Sequence, residues 1–257
     1  MNAQGLFTAY YTMMRKEVVR IFRIWSQTLL PPVITTSLYF AIFGGFIGSQ
    51  VDAIDGYTYM QFIMPGLVMM TVITNTYSHV SSMFFSAKFM RNVDELIVSP
   101  MPHWLIIFSY VSGGLLRAIL VSVLVIAVAL FFTHITIANI LIIILAGLLT
   151  ATLFSLAGLL NGILAKGFDS ITIIPNFVLT PLTYLGGIFY SISLLPEPFR
   201  IASLFNPILY MVNAFRYGFL GITDTELWTS FGITLLITAL LLGVTLYYFK
   251  KGIGLEG

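Results

Sequence analysis

Cysteine is absent from this 257-residue sequence, which removes disulfides, thiolate metal sites and cysteine nucleophiles together. Charge is scarce as well: Asp, Glu, Lys and Arg make up 9% of the residues, against about 25% in a soluble domain. The histidines, His79, His103 and His134, lie far apart with no carboxylate cluster beside them, so no metal-site spacing exists. No GxxxxGK[ST] run occurs, so this chain has no ATP-phosphate cradle of that kind. Ser155 and the other polar residues have no base partner in a recognisable motif, and the paired intramembrane acids of many proton or sodium relays are missing. Nothing here reads as an enzyme. A net charge of +2 gives no case for nucleic acid either.

What is present is apolar. Hydrophobic residues form 58% of the chain, more than one core of this length can enclose, so lipid must face most of them. Charge-free stretches predict helical spans over about 29–47, 60–80, two within 104–164 interrupted around Thr133, His134 and Asn139, then 172–188 and 228–249. The stretch 199–220 is also apolar, but Asn206-Pro207 and Arg216 interrupt it, and a seventh crossing would strand Lys250 and Lys251 outside. It reads as short outer helices that dip into the membrane and return, hinged at Gly186-Gly187 and Pro196/Pro198. The expected fold is an all-α polytopic membrane protein. Residues 1–26 are an interfacial amphipathic helix, 27–249 a six-span domain with a re-entrant outer segment at 189–221, and 250–257 a cytoplasmic tail.

Orientation follows from the basic residues. Arg15, Lys16, Arg20, Arg23, Lys88, Arg91, Lys166, Lys250 and Lys251, nine of the twelve, fall on one side, leaving Arg200 and Arg216 on the other and Arg117 within a span. The opposite loops are acidic, with Asp52, Asp55, Glu197, Asp224 and Glu226. The positive-inside rule therefore places both termini in the cytoplasm.

Some segments suggest function. In the N-terminal helix Lys16, Arg20, Arg23 and Gln27 share one face and Met14, Val18, Ile21 and Trp25 another, as in a helix lying on anionic headgroups. It is either an anchor or a transmitter of motion. The stretch 87–99 predicts a short cytoplasmic helix stopped by Pro100 and Pro102, with Asp94 and Glu95 beside Phe89, Leu96 and Ile97. From the residues alone it is either a docking element or a solvated loop. Arg117 must find a polar environment, for which Asn75, His79, Asn161 and Asn176 are candidates, whether it lines a path or bonds helix-end carbonyls. Gly158 and Gly162 have the spacing that permits close helix contact. The outer aromatics Phe189, Tyr190, Phe205, Tyr210, Phe215 and Tyr217 suit either an interfacial belt or a lipid-like or sugar-linked cargo.

The run Asn92-Val93-Asp94-Glu95-Leu96-Ile97-Val98-Ser99-Pro100 resembles the coupling-helix segment of ABC-2 type export permeases. The stretches Ser155-Leu156-Ala157-Gly158, 181–187, Asn206-Pro207 and Phe215-Arg216-Tyr217-Gly218 resemble that family's C-terminal region. The similarity covers nearly the whole chain and is nearest to the YadH-type bacterial inner-membrane permeases. The resemblance implies a homodimer in the inner membrane, bound to two copies of a separate ABC ATPase that holds Mg-ATP, with no cofactor on this chain. It assigns Phe89, Arg91, Asp94, Glu95, Leu96 and Ile97 to ATPase docking, with the interfacial helix of Lys16, Arg20 and Arg23 beside them. Asn206, Pro207 and Arg216 would belong to the outer re-entrant region. The expected function is outward movement of a hydrophobic, lipid-like, drug or saccharide-linked substrate. A membrane scaffold or regulatory subunit and a stand-alone ion-coupled carrier are the alternatives.

Overall fold

The structure, a computed structural model, describes residues 2–48, 50 and 53–255. Asp52, one of the expected outer acids, and the last two residues of the tail lie outside the described residues. The described chain is helical, with only an isolated bridge between Ile54 and Tyr57 outside the helices and turns.

The first helix, α1 (Ala3–Arg23), begins where the Asn2 side chain accepts from the Gly5 amide, and it ends with Arg20 and Arg23 in its last turn, the favourable end of its dipole for cations. A one-turn helix, α2 (Trp25–Thr28), leads into α3 (Leu30–Tyr39), which continues as a wider π-helical stretch over Phe40–Ile47. Next comes α4 (Tyr59–Phe89), 31 residues long, started by a reciprocal cap between Thr58 and Gln61. A seven-residue helix, α5 (Asn92–Val98), precedes α6 (His103–Ala129) and α7 (Ile140–Leu164), the latter capped by Asn139. Then α8 (Phe168–Ile174), a π-helical turn (Pro175–Leu179) and α9 (Thr180–Tyr184) follow end to end. After a 3₁₀ turn (Ile192–Leu194) come α10 (Glu197–Leu204), α11 (Pro207–Leu220) and α12 (Leu227–Lys251).

Among the described residues, four helical segments are long and apolar enough to cross a membrane: Trp25–Ile47, His103–Ala129, Ile140–Leu164 and Leu227–Lys251. They coincide with four of the expected spans. α4 covers the stretch expected at 60–80 and, at about 1.5 Å per residue, is far longer than a ~30 Å hydrocarbon layer needs, but polar side chains along it dilute its hydropathy.

Two expectations need correction. Residues 172–188 are not one continuous helix. Pro175 and Pro181 remove amide donors and impose the π-helical turn, the helical run stops at Tyr184, and Gly187 turns the chain with φ +69°. The helix expected over 87–98 is also divided. Its first three residues finish α4, and Arg91 adopts a left-handed conformation, φ +59°, that starts α5 afresh.

α4 and α7 form the centre, with α6, α11 and α12 around them. Lipid offers little hydrophobic drive to bring helices together, so close backbone approach must hold them. Here Gly158 sits directly against the Tyr77 carbonyl, and a Cβ at Gly162 would lie 3.0 Å from the Ser81 carbonyl. The small-residue spacing thus has a packing role. Most buried apolar side chains fall into two large clusters along the bundle, with a small third of Phe85, Ala165 and Ile171. One holds Val80, Phe84, Val93, Ile107, Ile163 and Phe249, so it joins the ends of α4, α7 and α12 to α5 and the start of α6. The other holds Phe40, Phe62, Ala129, Ile143, Phe215 and Phe219, toward the acidic loops.

Gly158→Leu should therefore pry α4 from α7. Overpacking of this kind costs about 1–3 kcal/mol or more, and the melting temperature of the detergent-purified chain should fall by several degrees. Gly243→Ala, where an added methyl meets nothing within 4 Å, should leave it unchanged.

Candidate functional site

Burial marks the site first. α1 turns Glu17 and Ile21 into the protein at 2% and 0% exposure, while Arg20 is half-buried between them and solvent. Arg20 shares a surface groove on α1 with Lys16 and Arg23 and also reaches inward. Lys16 and Arg23 are exposed, but Arg20 lines a cavity of about 360 Å³ between α1, α4 and α6. Trp25, expected on the apolar face, is 56% exposed. Glu17 fits because α6 has a glycine opposite it; a Cβ on Gly113 would come within 3.2 Å of Glu17 Cγ.

The cavity gathers Arg20, Arg117, His79, Asn75, Ser78 and Ser82 with Thr28 and Thr74. Arg117 is 7% exposed. Its Nη2 donates to the Thr28 carbonyl at 2.5 Å, the free end of α2, and to Asn75 Oδ1 at 3.3 Å. Asn75 in turn donates its amide to the Thr71 carbonyl at 3.0 Å, which fixes the side chain. Nε and Nη1 of Arg117 have no hydrogen-bond partner among the described residues. One nitrogen thus bonds a helix-end carbonyl, and the other two are enclosed in the protein. His79 Nε2 lies 3.4 Å from Glu17 Oε2, close enough for attraction but without a hydrogen bond to it.

Of the residues expected around Arg117, the structure brings Asn75 and His79 to it. It does not bring Asn161, which donates to Ser81 Oγ at 3.0 Å and to the Ile171 carbonyl, joining α7 to α4 and α8. Asn176 is exposed on the π-helical turn. Glu17 was missed. A lone acid in a basic amphipathic helix looks solvated by pattern, and its one signal is its place a single turn from Ile21 and Met14.

A second cluster lies at the end where α4, α7 and α12 finish. Lys88 Nζ donates to the Ile163 and Ala165 carbonyls at 2.8 and 3.1 Å, closing the C-terminus of α7. On α5, Val93 is buried at 1% and anchors the helix, while Arg91, Asp94, Glu95 and Ile97 are exposed and Val98 is 87% exposed. Phe89 is 67% exposed and packs edge-on against Phe168 at 5.3 Å. Leu96 departs from this group: it turns inward and, with Met101, faces α1 residues Thr8, Thr12 and Met13 across a groove of about 610 Å³.

The segment 189–221 is built around Arg216, 1% exposed. It donates to the carbonyls of Gly187 at 2.5 Å and Ile188 and Phe62 at 3.4 Å, and to Asn213 Oδ1 at 3.2 Å. Its guanidinium lies 4.0 Å over the Phe62 ring, with Asp224 Oδ2 at 4.0 Å. Asp224 also accepts from Ser191 Oγ and the Ile192 amide. Asn206 caps α11 and donates to the Leu182 carbonyl at 2.7 Å, with Pro207 at the first helical position. The outer aromatics divide: Phe215 is core, Phe205 is 84% exposed, and Phe189 stacks on Phe43 at 4.7 Å.

Comparison with known proteins adds a family. The sequence profile of the ABC-2 type transporter family matches residues 8–220. The chain is 52% identical over 241 residues to the Escherichia coli (strain K12) protein named inner membrane transport permease YadH, covering 94% of each. It is 22% identical over 204 residues, 77% of each, to nodulation protein J of Sinorhizobium fredii (strain NBRC 101917 / NGR234). The similarity to nodulation protein J of Rhizobium leguminosarum bv. viciae is 21% over 209 residues, 79% of this chain and 80% of that one.

Arg216→Met should leave the Gly187 and Ile188 carbonyls unpaired. Breaking a buried charged network costs about 3–5 kcal/mol, so folded yield after detergent extraction should collapse. Arg216→Lys, which keeps the charge but not the fork, should recover part of it.

Proposed function

The chain belongs to the ABC-2 type transporter family, and on that premise we propose that it is the permease subunit of an ATP-driven exporter in the bacterial inner membrane. Two copies form the transmembrane part, each bound to one copy of a separate ATPase that holds Mg-ATP. Six crossings, with α8 to α9 as the fifth and α10 and α11 as a re-entrant outer pair, give a chain with both termini in the cytoplasm. α11, at 14 residues, is shorter than the ~20 needed to cross.

The observation that carries the reading is α5. Its exposed carboxylates and apolar side chains stand on a helix whose buried Val93 is seated among the ends of α4, α6, α7 and α12. A partner gripping Asp94, Glu95, Ile97 and Phe89 would hold a lever on most of the bundle. Closure of two ATPase subunits around ATP then becomes rigid-body movement of the helices. The energy comes from the partner, since this chain has no phosphate cradle of the GxxxxGK[ST] kind. The cargo is hydrophobic or amphipathic, drawn from lipid-like, drug or saccharide-linked molecules and moved outward. A bare scaffold would have no use for a charged, part-unsatisfied cavity beside its membrane helices, which favours a permease over that alternative.

Glu95→Lys reverses a charge at the proposed contact. In the complex co-purified with its ATPase, subunit retention or coupled ATPase turnover should fall at least about tenfold, as for loss of a charged contact worth more than ~1.4 kcal/mol. Unchanged assembly and turnover would defeat the docking assignment. The absence of native cysteine makes orientation directly testable. Lys251→Cys should react with an impermeant maleimide only after the inner membrane is opened, whereas Glu197→Cys should react in spheroplasts; the reverse pattern would invert the topology.

A further inference from the structure

α6 and α7 pack side by side, yet along one stretch they do not close on each other. A slot of about 310 Å³ lies between them. Its rim is apolar and exposed, with Ile119 and Val123 on α6 and Ile144 and Leu148 on α7. Its floor is buried and reaches the helices behind, through Val72 of α4 and Phe215 of α11. Ala118, Gly147 and Ala151 line it with little or no side chain. The lining positions 119, 122, 123 and 126 on α6 and 144, 147, 148 and 151 on α7 recur at steps of three and four. The slot therefore follows one face of each helix for about two turns, or ~10 Å.

Gly147 makes much of this space. In lipid a glycine commonly lets two backbones approach, as Gly158 does at the Tyr77 carbonyl. Gly147 has no backbone against it: a Cβ there would meet only Phe215 Cε2, at the ordinary contact distance of 3.5 Å. Its missing side chain leaves volume and not a helix contact. An empty volume of this size is unfavourable, because the wall atoms forfeit the dispersion contacts of a filled interior. Water fills it badly, since an enclosed water wants about two to four polar partners, and Ser122 is the one polar side chain in the lining. A helix from another chain, about 10–12 Å across, is too wide for it. The helices on both sides are long and apolar enough to cross a membrane, so the medium at the mouth is hydrocarbon.

We infer that the slot between α6 and α7 holds an acyl chain of a membrane lipid. The chain lies along the two helices between the rim side chains, with Phe215 and Val72 beneath it. It is thinner than a helix and asks for no polar partner, and the volume is within the ~300–1,000 Å³ of small-molecule sites. The chain completes the packing behind α11, where Phe215 stands 5.2 Å from the Phe219 ring and next to Arg216 in sequence. The site needs only that α6 and α7 cross a bilayer, so it stands apart from the ATPase, the cargo and the direction of transport.

The test is photolabelling of the full-length chain in phosphatidylcholine vesicles that contain an analogue with a diazirine midway along one acyl chain. Mass spectrometry of the digested protein maps the label. Label over 118–126 and 143–151 should be several-fold denser than over 235–240 of α12, where Leu236, 61% exposed, matches Val123 at 60%. Gly147→Leu places a side chain in the slot and should bring the label down to the α12 level. Gly243→Leu, where a Cβ meets nothing within 4 Å, gives the same gain in helix propensity and should leave the label unchanged. If Gly147→Leu does not fold, Ser122→Phe fills the slot from α6 and should produce the same loss. Equal label on the slot and on α12 would overturn the site, as would label untouched by both filling variants. Because the chain has no cysteine, Val123→Cys reports on a second copy at the rim. Oxidation of that variant should give no covalent dimer; a dimer in high yield would put protein in place of lipid and overturn the proposal.

Discussion

The close approach of Gly158 to the Tyr77 carbonyl, which leaves no room for a Cβ, decides what the rest of α4 can do. With α7 drawn that close, α4 is fixed in rotation, and its remaining faces are assigned without further choice. α6 takes another side, where Gly114 admits Ser155 and Val80. The side at right angles to the seam turns toward α3 and keeps its hydroxyls and amides. A helix buried on every side in lipid would be expected to lose such groups, since each costs free energy unless bonded. Many here bond back to their own helix, as Thr71 and Thr74 do to Leu67 and Met70, which satisfies the proton while leaving the oxygen to face a cavity.

Two arginines within the same chain show how burial divides structure from function. Arg216 spends its donors on four acceptors and its flat face on Phe62, so nothing is left to offer a ligand. It pins the turn at Gly187 to α4 and α11, and the segment 189–221 depends on it. Arg117 is nearly as buried, yet it bonds through one nitrogen, while Nε and Nη1 are enclosed without a hydrogen-bond partner among the described residues. Burying either charge is costly unless it is paired or hydrogen-bonded. Only the first is repaid wholly by the fold.

The long apolar helices were legible in the sequence because length and the lack of charge are local properties, sufficient to find 25–47, 103–129, 140–164 and 227–251. The division of the fifth stretch was less so: Pro175 and Pro181 sit within an otherwise apolar run, and whether a proline kinks or ends a helix depends on which neighbours take up the freed carbonyls. The enclosure of Arg216 was not readable at all, since its partner Phe62 is 154 residues away. The stripe on α4 was legible in principle, by the recurrence of 71, 74, 75, 78, 79 and 82. Only the structure distinguishes it from helix packing, because periodicity names a face but not what lies against it. Half of the expected companions of Arg117 are brought to it: Asn75 and His79 lie on the α4 face that meets α6 at Arg117, while Asn161 and Asn176 are on elements whose rotation no local pattern sets.

α1 links the two places where chemistry is exposed. Its first half, with Thr8, Thr12 and Met13, faces Leu96 of α5 across the groove. Its last turns present Arg20, Ile21 and Ile24 to the cavity between α1, α4 and α6. A 21-residue helix is stiff over its ~30 Å, so it cannot tilt at one end and stay still at the other. Under the proposed docking, a partner that displaces α5 therefore moves Arg20 relative to Arg117 at the wall of the cavity, so that a displacement at one exposed end of α1 is felt at the other.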